Sequence, residues 1–119
     1  MIFMKELSFI IKPEKLESLK EILDRQGCGG ITIYTVMGCG NQRGMTDEKV
    51  YSLKGLETHI NLLPKVKVEC VVEDDKVENI IMEVRDSIST GVVGDGKIFI
   101  KPVYDAVRIR TGERGSKAI

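Results

Sequence analysis

FIIKPEKLESLKEIL, residues 9–23, and CVVEDDKVENIIMEV, residues 70–84, decide the fold. Each opens on a short apolar run, breaks at polar or proline residues, and continues with apolar side chains three and four positions apart. In the first, Leu16, Leu19, Ile22 and Leu23 fall on one face of a helix expected from Pro13 to Gln26. Pro13 suits the first helical position, Glu14 complements the positive end of the dipole, and Gly27 stops the helix. In the second, Asp74 and Asp75 are cap-type residues, and Val77, Ile80, Ile81, Val84 and Ile88 form the apolar stripe. The two stretches are versions of one strand–turn–helix unit.

The flanking segments extend each unit. Residues 5–11 (KELSFII) mix alternation with an apolar run, as a strand with one well-buried face does, and residues 31–37 are rich in β-branched and aromatic side chains. Residues 65–72 (KVKVECVV) alternate polar and apolar, residues 98–103 read as a final strand, and residues 106–109 as a short extension beside it. The order is therefore β-α-β, β-α-β. That order describes an α+β, ferredoxin-like arrangement, with an antiparallel sheet and both helices on one face. The other sheet face needs a cover, and self-association is the simplest one for so short a chain.

A length of 119 residues with 42% hydrophobic content suits one domain over residues 1–119, because a second core would have too little to bury. The 18 basic and 18 acidic residues cancel, so no whole-molecule field points to nucleic acid or to an anionic membrane, and an anion site has to be local. The apolar run near the start is short and interrupted by Lys5 and Glu6, which predicts a cytoplasmic protein without a membrane span. Cys28, Cys39 and Cys70 lack metal-ligand spacing and His59 is the sole histidine, so the thiols are expected to be small buried hydrophobes rather than zinc ligands or nucleophiles.

Between the halves, residues 40–57, including NQRGMTDEKVYSLKG, are polar, glycine-punctuated and aperiodic. Ordering such a loop costs backbone entropy that no local core repays, so it is expected to serve a partner or a switch. After the second helix comes TGVVGDGKIF, residues 90–99. It satisfies GxxxxGK loosely, but a helix precedes it, Ile98 replaces the magnesium-binding Ser or Thr, and a strand follows. A P-loop is therefore rejected. An ordinary glycine turn is the competing reading. Arg108 and Arg110, alternating on an extended segment, would project from one side, with Lys97 as a third cation near the glycine loop. Exposed backbone N–H groups and forked guanidiniums are what a polyphosphate requires.

TGVVGDGKIF followed by VRIRTGE resembles the carboxy-terminal signature of the PII signal-transduction proteins, and IIKP, GCGNQRG and LLPKVKVE are similar to further blocks of that family in the same order. The resemblance implies a homotrimer with ATP or ADP in clefts between subunits. It implies that Gly94, Asp95, Gly96 and Lys97 wrap the phosphates with Arg108 and Arg110, and that Thr32, Gly38, Cys39, Gly40, Glu69 and Val71 surround the rest of the nucleotide. Gln42 and Lys65 resemble the 2-oxoglutarate site, Gln42 sharing Mg with ligand oxygens and Lys65 pairing with a carboxylate. Taken alone, Lys65 is equally one polar position of an alternating strand, and Gln42 a loop residue.

The loop then corresponds to the family's T-loop, with Tyr51 and Lys54 as partner-contact residues. The implied role is signalling of nitrogen, carbon and energy status to a protein target such as an ammonium channel, nitrogenase or a nitrogen-metabolism enzyme, with the membrane reached only through a channel. Two departures stand out. LKGLETH, residues 53–59, replaces the family's tyrosine-containing modification motif, and Asn41 stands where many relatives carry a cation. The competing classes are a ferredoxin-like trimeric interaction module and a weak ATP-hydrolysing enzyme. The enzyme is disfavoured because Asp95 and Glu113, the nearby carboxylates, have no evident orienting partner.

Overall fold

The computed structural model describes residues 3–39, 51–53, 56–58 and 62–119. Its elements are β1 (Met4–Ile11), α1 (Leu16–Arg25), β2 (Thr32–Gly38), β3 (Tyr51–Leu53), β4 (Leu56–Thr58), β5 (Leu63–Glu73), α2 (Val77–Ile88) and β6 (Lys97–Val103). Four strands form one sheet in the order β2-β5-β1-β6, and every adjacent pair is antiparallel. Each helix therefore links strands that are not neighbours: β1 and β2 flank β5, and β5 and β6 flank β1. This is the split βαβ arrangement expected from the repeated unit.

The register explains which face is buried. Leu7, Phe9 and Ile11 of β1 stand opposite Cys70, Val68 and Val66 of β5, and all six are buried. Leu19, Ile22 and Leu23 of α1 and Val77, Ile80, Val84 and Ile88 of α2 complete the same cluster, so both helices cover one face. Because side chains alternate along a strand, Glu6 and Ser8 of β1, Lys67, Glu69 and Val71 of β5, Thr32 and Tyr34 of β2, and Phe99 and Lys101 of β6 turn to the other face.

The internal repeat persists in the backbone. Each helix is entered through a 3₁₀ turn, Pro13–Lys15 and Asp74–Lys76, and the residues before these turns, Lys12 and Glu73, have nearly identical dihedrals (φ −67°, ψ 143° and φ −66°, ψ 144°). Asp74 and Asp75 do not cap α2 through their side chains; the Asp74 N–H donates to the Phe3 carbonyl at 2.6 Å, and its carboxylate pairs with Lys5 at 3.7 Å. Pro13 likewise opens a 3₁₀ turn, with the α-helix beginning at Leu16.

Three further expectations need correction. Residues 106–109 are not a strand: Val107 makes an isolated bridge to Arg114, and the chain reverses between them. The cause is local. Gly112 at φ +76° brings its N–H to the Arg108 carbonyl at 2.7 Å, the Arg108 N–H donates to Glu113 at 2.9 Å, and Arg114 clamps the Asp105 carboxylate. The cysteines are not uniformly buried: Cys70 is, Cys28 is half-buried, and Cys39 is exposed just beyond the end of β2. The loop between the halves contains a short antiparallel hairpin, β3 with β4, too brief for any periodicity to register in sequence. Gly40, Gln42 and Lys54, together with Asn41 and His59, lie outside the described residues; Tyr51 is described in backbone only. Among the described residues no helix is long and apolar enough to cross a membrane.

Candidate functional site

The glycine loop is built by its own aspartate. The Asp95 carboxylate accepts from the Thr90 N–H at 2.8 Å, the Gly91 N–H at 2.9 Å, the Thr90 hydroxyl at 2.5 Å and the Ser89 hydroxyl at 3.4 Å. These donors, the Thr90 hydroxyl foremost, hold the carboxyl at about 2, below its ordinary 3.8. Asp95 thus orders the loop from inside. Gly91, Gly94 and Gly96 have φ of +78°, +102° and +108°, which only glycine adopts without strain. Gly96 is also a close approach: a Cβ there would lie 1.9 Å from the Ile10 carbonyl oxygen. Lys97 follows at the start of β6, exposed and opposite Ile10.

Lys65 reaches this loop from β5. Its side chain is buried, and its ammonium donates to the Gly94 carbonyl at 2.9 Å. Burial first, then the nearby charge of Lys12, lowers its pKa, with Asp95 opposing. Gly38 at the end of β2 makes room for it, since a Cβ at Gly38 would meet Lys65 Cγ at 3.0 Å. Gly38, Cys39, Lys65 and the run Gly94 to Lys97 therefore belong to one end of the sheet.

A second group lies elsewhere. Thr32, Glu69, Val71 and Arg108 line an open cavity of about 590 Å³, with Glu6, Tyr34, the Gly29-Gly30 turn and the C-terminal Ala118 and Ile119. Thr32 and Glu69 are register partners. The hydrogen bond between Glu6 and Glu69 raises the pKa of Glu6 and lowers that of Glu69, and the Tyr34 hydroxyl also donates to Glu69, which raises the Tyr34 pKa. Lys67 sits 5.6 Å from the centre of the Tyr34 ring. Sequence reasoning missed Glu6, Tyr34 and the C-terminal residues. Alternation along β1 and β2 could have put Glu6 and Tyr34 on this face, but nothing in the sequence marks Ala118 or Ile119.

The two groups do not meet within one chain. Glu69 is four residues from Lys65 along β5, roughly 13 Å at about 3.3 Å per residue, and Thr32 is six from Gly38, roughly 20 Å. Nor do the two arginines act as the alternation suggested. Arg108 is half-buried and lines the cavity, whereas Arg110 is exposed in the reversal beyond it, beside a fully exposed Ile109. Among the described residues, no cluster of three or more His, Cys, Asp or Glu side chains could hold a metal ion.

Fold and site define a split-βαβ protein with an ordered glycine loop and buried lysine at one end of the sheet and an open, carboxylate-bearing cavity at the other. The family model for "Nitrogen regulatory protein P-II" matches residues 4–113. The chain is 50% identical to nitrogen regulatory protein P-II 2 of Methanothermobacter thermautotrophicus, over the full length of both. It is 47% identical to nitrogen regulatory protein P-II of Azospirillum brasilense over 98% of this chain and 100% of the relative. Among solved structures, the GlnK–ATP complex of B. subtilis superposes with a TM-score of 0.78 at 29% identity, covering 98% of this chain and 96% of that one. Arabidopsis thaliana PII bound to citrate superposes with a TM-score of 0.76 at 33% identity, covering 99% and 94%. The chain belongs to the nitrogen regulatory protein P-II family.

Proposed function

We propose that this protein is a cytoplasmic, homotrimeric sensor that binds ATP or ADP between subunits, responds to 2-oxoglutarate, and signals through residues 40–57. The observation that carries the reading is the division of the site. Gly38, Lys65 and Gly94 to Lys97 gather at one end of the sheet, and Thr32, Glu69, Val71 and Arg108 line a cavity at the other. Head-to-tail association joins one half of each copy to the complementary half of the next and closes a ring. The sheet face opposite the helices, with exposed Tyr34 and Phe99, supplies apolar area for that contact.

In this reading Lys97, Arg108, Arg110 and the glycine-loop amides bind the phosphates, while Thr32, Glu69 and Val71 hold the base and sugar. The ATP in the B. subtilis neighbour favours a nucleotide, and the citrate in the A. thaliana neighbour favours a carboxylic-acid effector. Lys65 is suited to the effector carboxylate, being a buried cation that among the described residues donates to the uncharged Gly94 carbonyl. With no acidic cluster among the described residues, magnesium would be held by Gln42 together with phosphate and oxo-acid oxygens. ATP hydrolysis is disfavoured, because the Asp95 carboxylate is occupied by its own loop. Effector binding at the loop base would bias residues 40–57 toward one arrangement, and so engage or release an ammonium channel, nitrogenase or a nitrogen-metabolism enzyme.

Isothermal titration with ATP, ADP and 2-oxoglutarate in the presence of magnesium tests the reading. Nucleotide binding at one site per chain, with 2-oxoglutarate binding only to the magnesium–ATP form, is expected. A chain that binds neither nucleotide overturns it.

A further inference from the structure

The turn after α1 lies against β5 in a way that the nucleotide reading does not use. Gly27, at φ +76°, ends the helix; its N–H donates to Asp24, and the Cys28 N–H donates to the Leu23 carbonyl at 3.0 Å, which fixes Cys28 in place. Cys28 packs, half-buried, on the core cluster that contains Cys70. The residues that follow these cysteines, Gly29 and Val71, line the same two cavities, so the 28–29 and 70–71 segments run side by side. One of these cavities, about 70 Å³, opens onto Cys28 and Lys76. The Lys76 ammonium donates to the Gln26 carbonyl at 3.0 Å and would be 3.3 Å from a Cβ at Gly27, which places a cation beside the turn.

We propose that Cys28 and Cys70 form a redox-active dithiol, with Cys28 the attacking sulfur, Cys70 the resolving one, and a low-molecular-weight disulfide the oxidant. The Cys28 thiolate attacks one sulfur of the oxidant RSSR, forming Cys28–S–S–R and releasing RS⁻, which takes the proton lost by Cys28. Cys70 then attacks the Cys28 sulfur, its proton going to the second RS⁻ as it departs. The dithiol loses two electrons and two protons, and RSSR becomes two RSH.

Exposure assigns the roles, since Cys28 is half-buried and lines the small cavity while Cys70 is buried in the core, and the electrostatics agree. The hydrogen bond from Cys70, helped by the charge of Lys76, lowers Cys28 to about 7, near the pH at which a thiol attacks best. The same contact, together with burial, pushes Cys70 up, so it stays protonated until Cys28 has reacted. The product ties the 27–30 turn to β5 beside the larger cavity. This inference is independent of nucleotide binding.

The test uses the full chain carrying Cys39→Ser, which removes the exposed third thiol. Treatment with oxidised glutathione, acid quenching and unreduced peptide mapping are expected to give a species lighter by two hydrogens, with Cys28 linked to Cys70 and no retained glutathione. Cys70→Ala is expected to trap a Cys28–glutathione adduct. In the chain with both cysteines intact, iodoacetamide labelling of Cys28 is expected to rise through about pH 7 rather than about 8.5. A permanent adduct with Cys70 present, no reaction, or a labelling midpoint at the ordinary thiol value overturns the proposal, and the labelling profile decides even if Cys70→Ala does not fold.

Discussion

Asp95, Gly96 and Lys65 each do work at the glycine loop that their residue types only hint at. An aspartate beside two glycines reads as a phosphate neighbour, yet its oxygens are filled by Ser89, Thr90 and Gly91. Its folded pKa of about 2 lies below the ordinary 3.8, so its stabilising effect is complete above about pH 4 and disappears as pH falls through about 2. Acid unfolding monitored by circular dichroism should show this loss in the wild type and not in Asp95→Asn, which should be less stable at neutral pH. Gly96→Ala meets the Ile10 carbonyl at 1.9 Å in a backbone region closed to alanine, where strain alone is on the order of 1–3 kcal/mol; a fall of at least that size in urea-unfolding stability is expected. Lys97→Ala and Arg108→Ala should each weaken ATP binding by about 1–3 kcal/mol in titration calorimetry, the scale of a lost charge-assisted bond. Arg110→Ala is the informative companion: Arg110 is exposed in the single chain, and a comparable loss of affinity is expected if the proposed cleft between subunits brings it to the phosphates.

At the scale of elements, the helices are interchangeable in design and differ in what they cover. Leu19 and Ile80 are fully buried on corresponding helix faces, so Leu19→Ala and Ile80→Ala should each cost about 2–5 kcal/mol, measured by chemical unfolding, through lost burial and the cavity left behind. The long connection behaves differently because its ends adjoin the site: β2 ends at Gly38, and β5 passes through Lys65. Hydrogen exchange across residues 43–57 should change when 2-oxoglutarate is added to the magnesium–ATP form. The change should vanish in Lys65→Ala, whose bond to Gly94 also links β5 to the glycine loop. Exchange in the wild type that ignores bound 2-oxoglutarate would end the switching model.

At the scale of the molecule, the sheet face without helices carries Tyr34 and Phe99 among Glu6, Lys67, Glu69 and Lys101, and in the proposed trimer its aromatic residues would supply the apolar contact between copies. Light scattering should report a trimer. A monomer that retains full ATP affinity would refute the shared-cleft reading, because neither half-site offers both the glycine loop and the Glu69 cavity.

The repeated strand–turn–helix unit, the periodicity of both helices and the alternation of β5 determined the fold from sequence alone, since these patterns are local and each buries its own apolar face. The glycine loop was legible too, as a run of glycines between a helix and a strand, whereas Lys65 was singled out only by the family resemblance, being on its own one polar position of an alternating strand. Tertiary structure alone decided three things. Arg108 lines the cavity and Arg110 does not, because the Gly112 reversal replaces the strand that alternation suggested. Glu6 joins Glu69 because β1 happens to be the neighbour of β5. Cys28 packs on the core cluster that holds Cys70 because the turn after α1 lies against β5 across more than forty residues of sequence. The last two are non-local pairings set by strand order, and no short window of sequence contains both partners; the first is a local reversal whose hydrogen bonds only the folded chain displays.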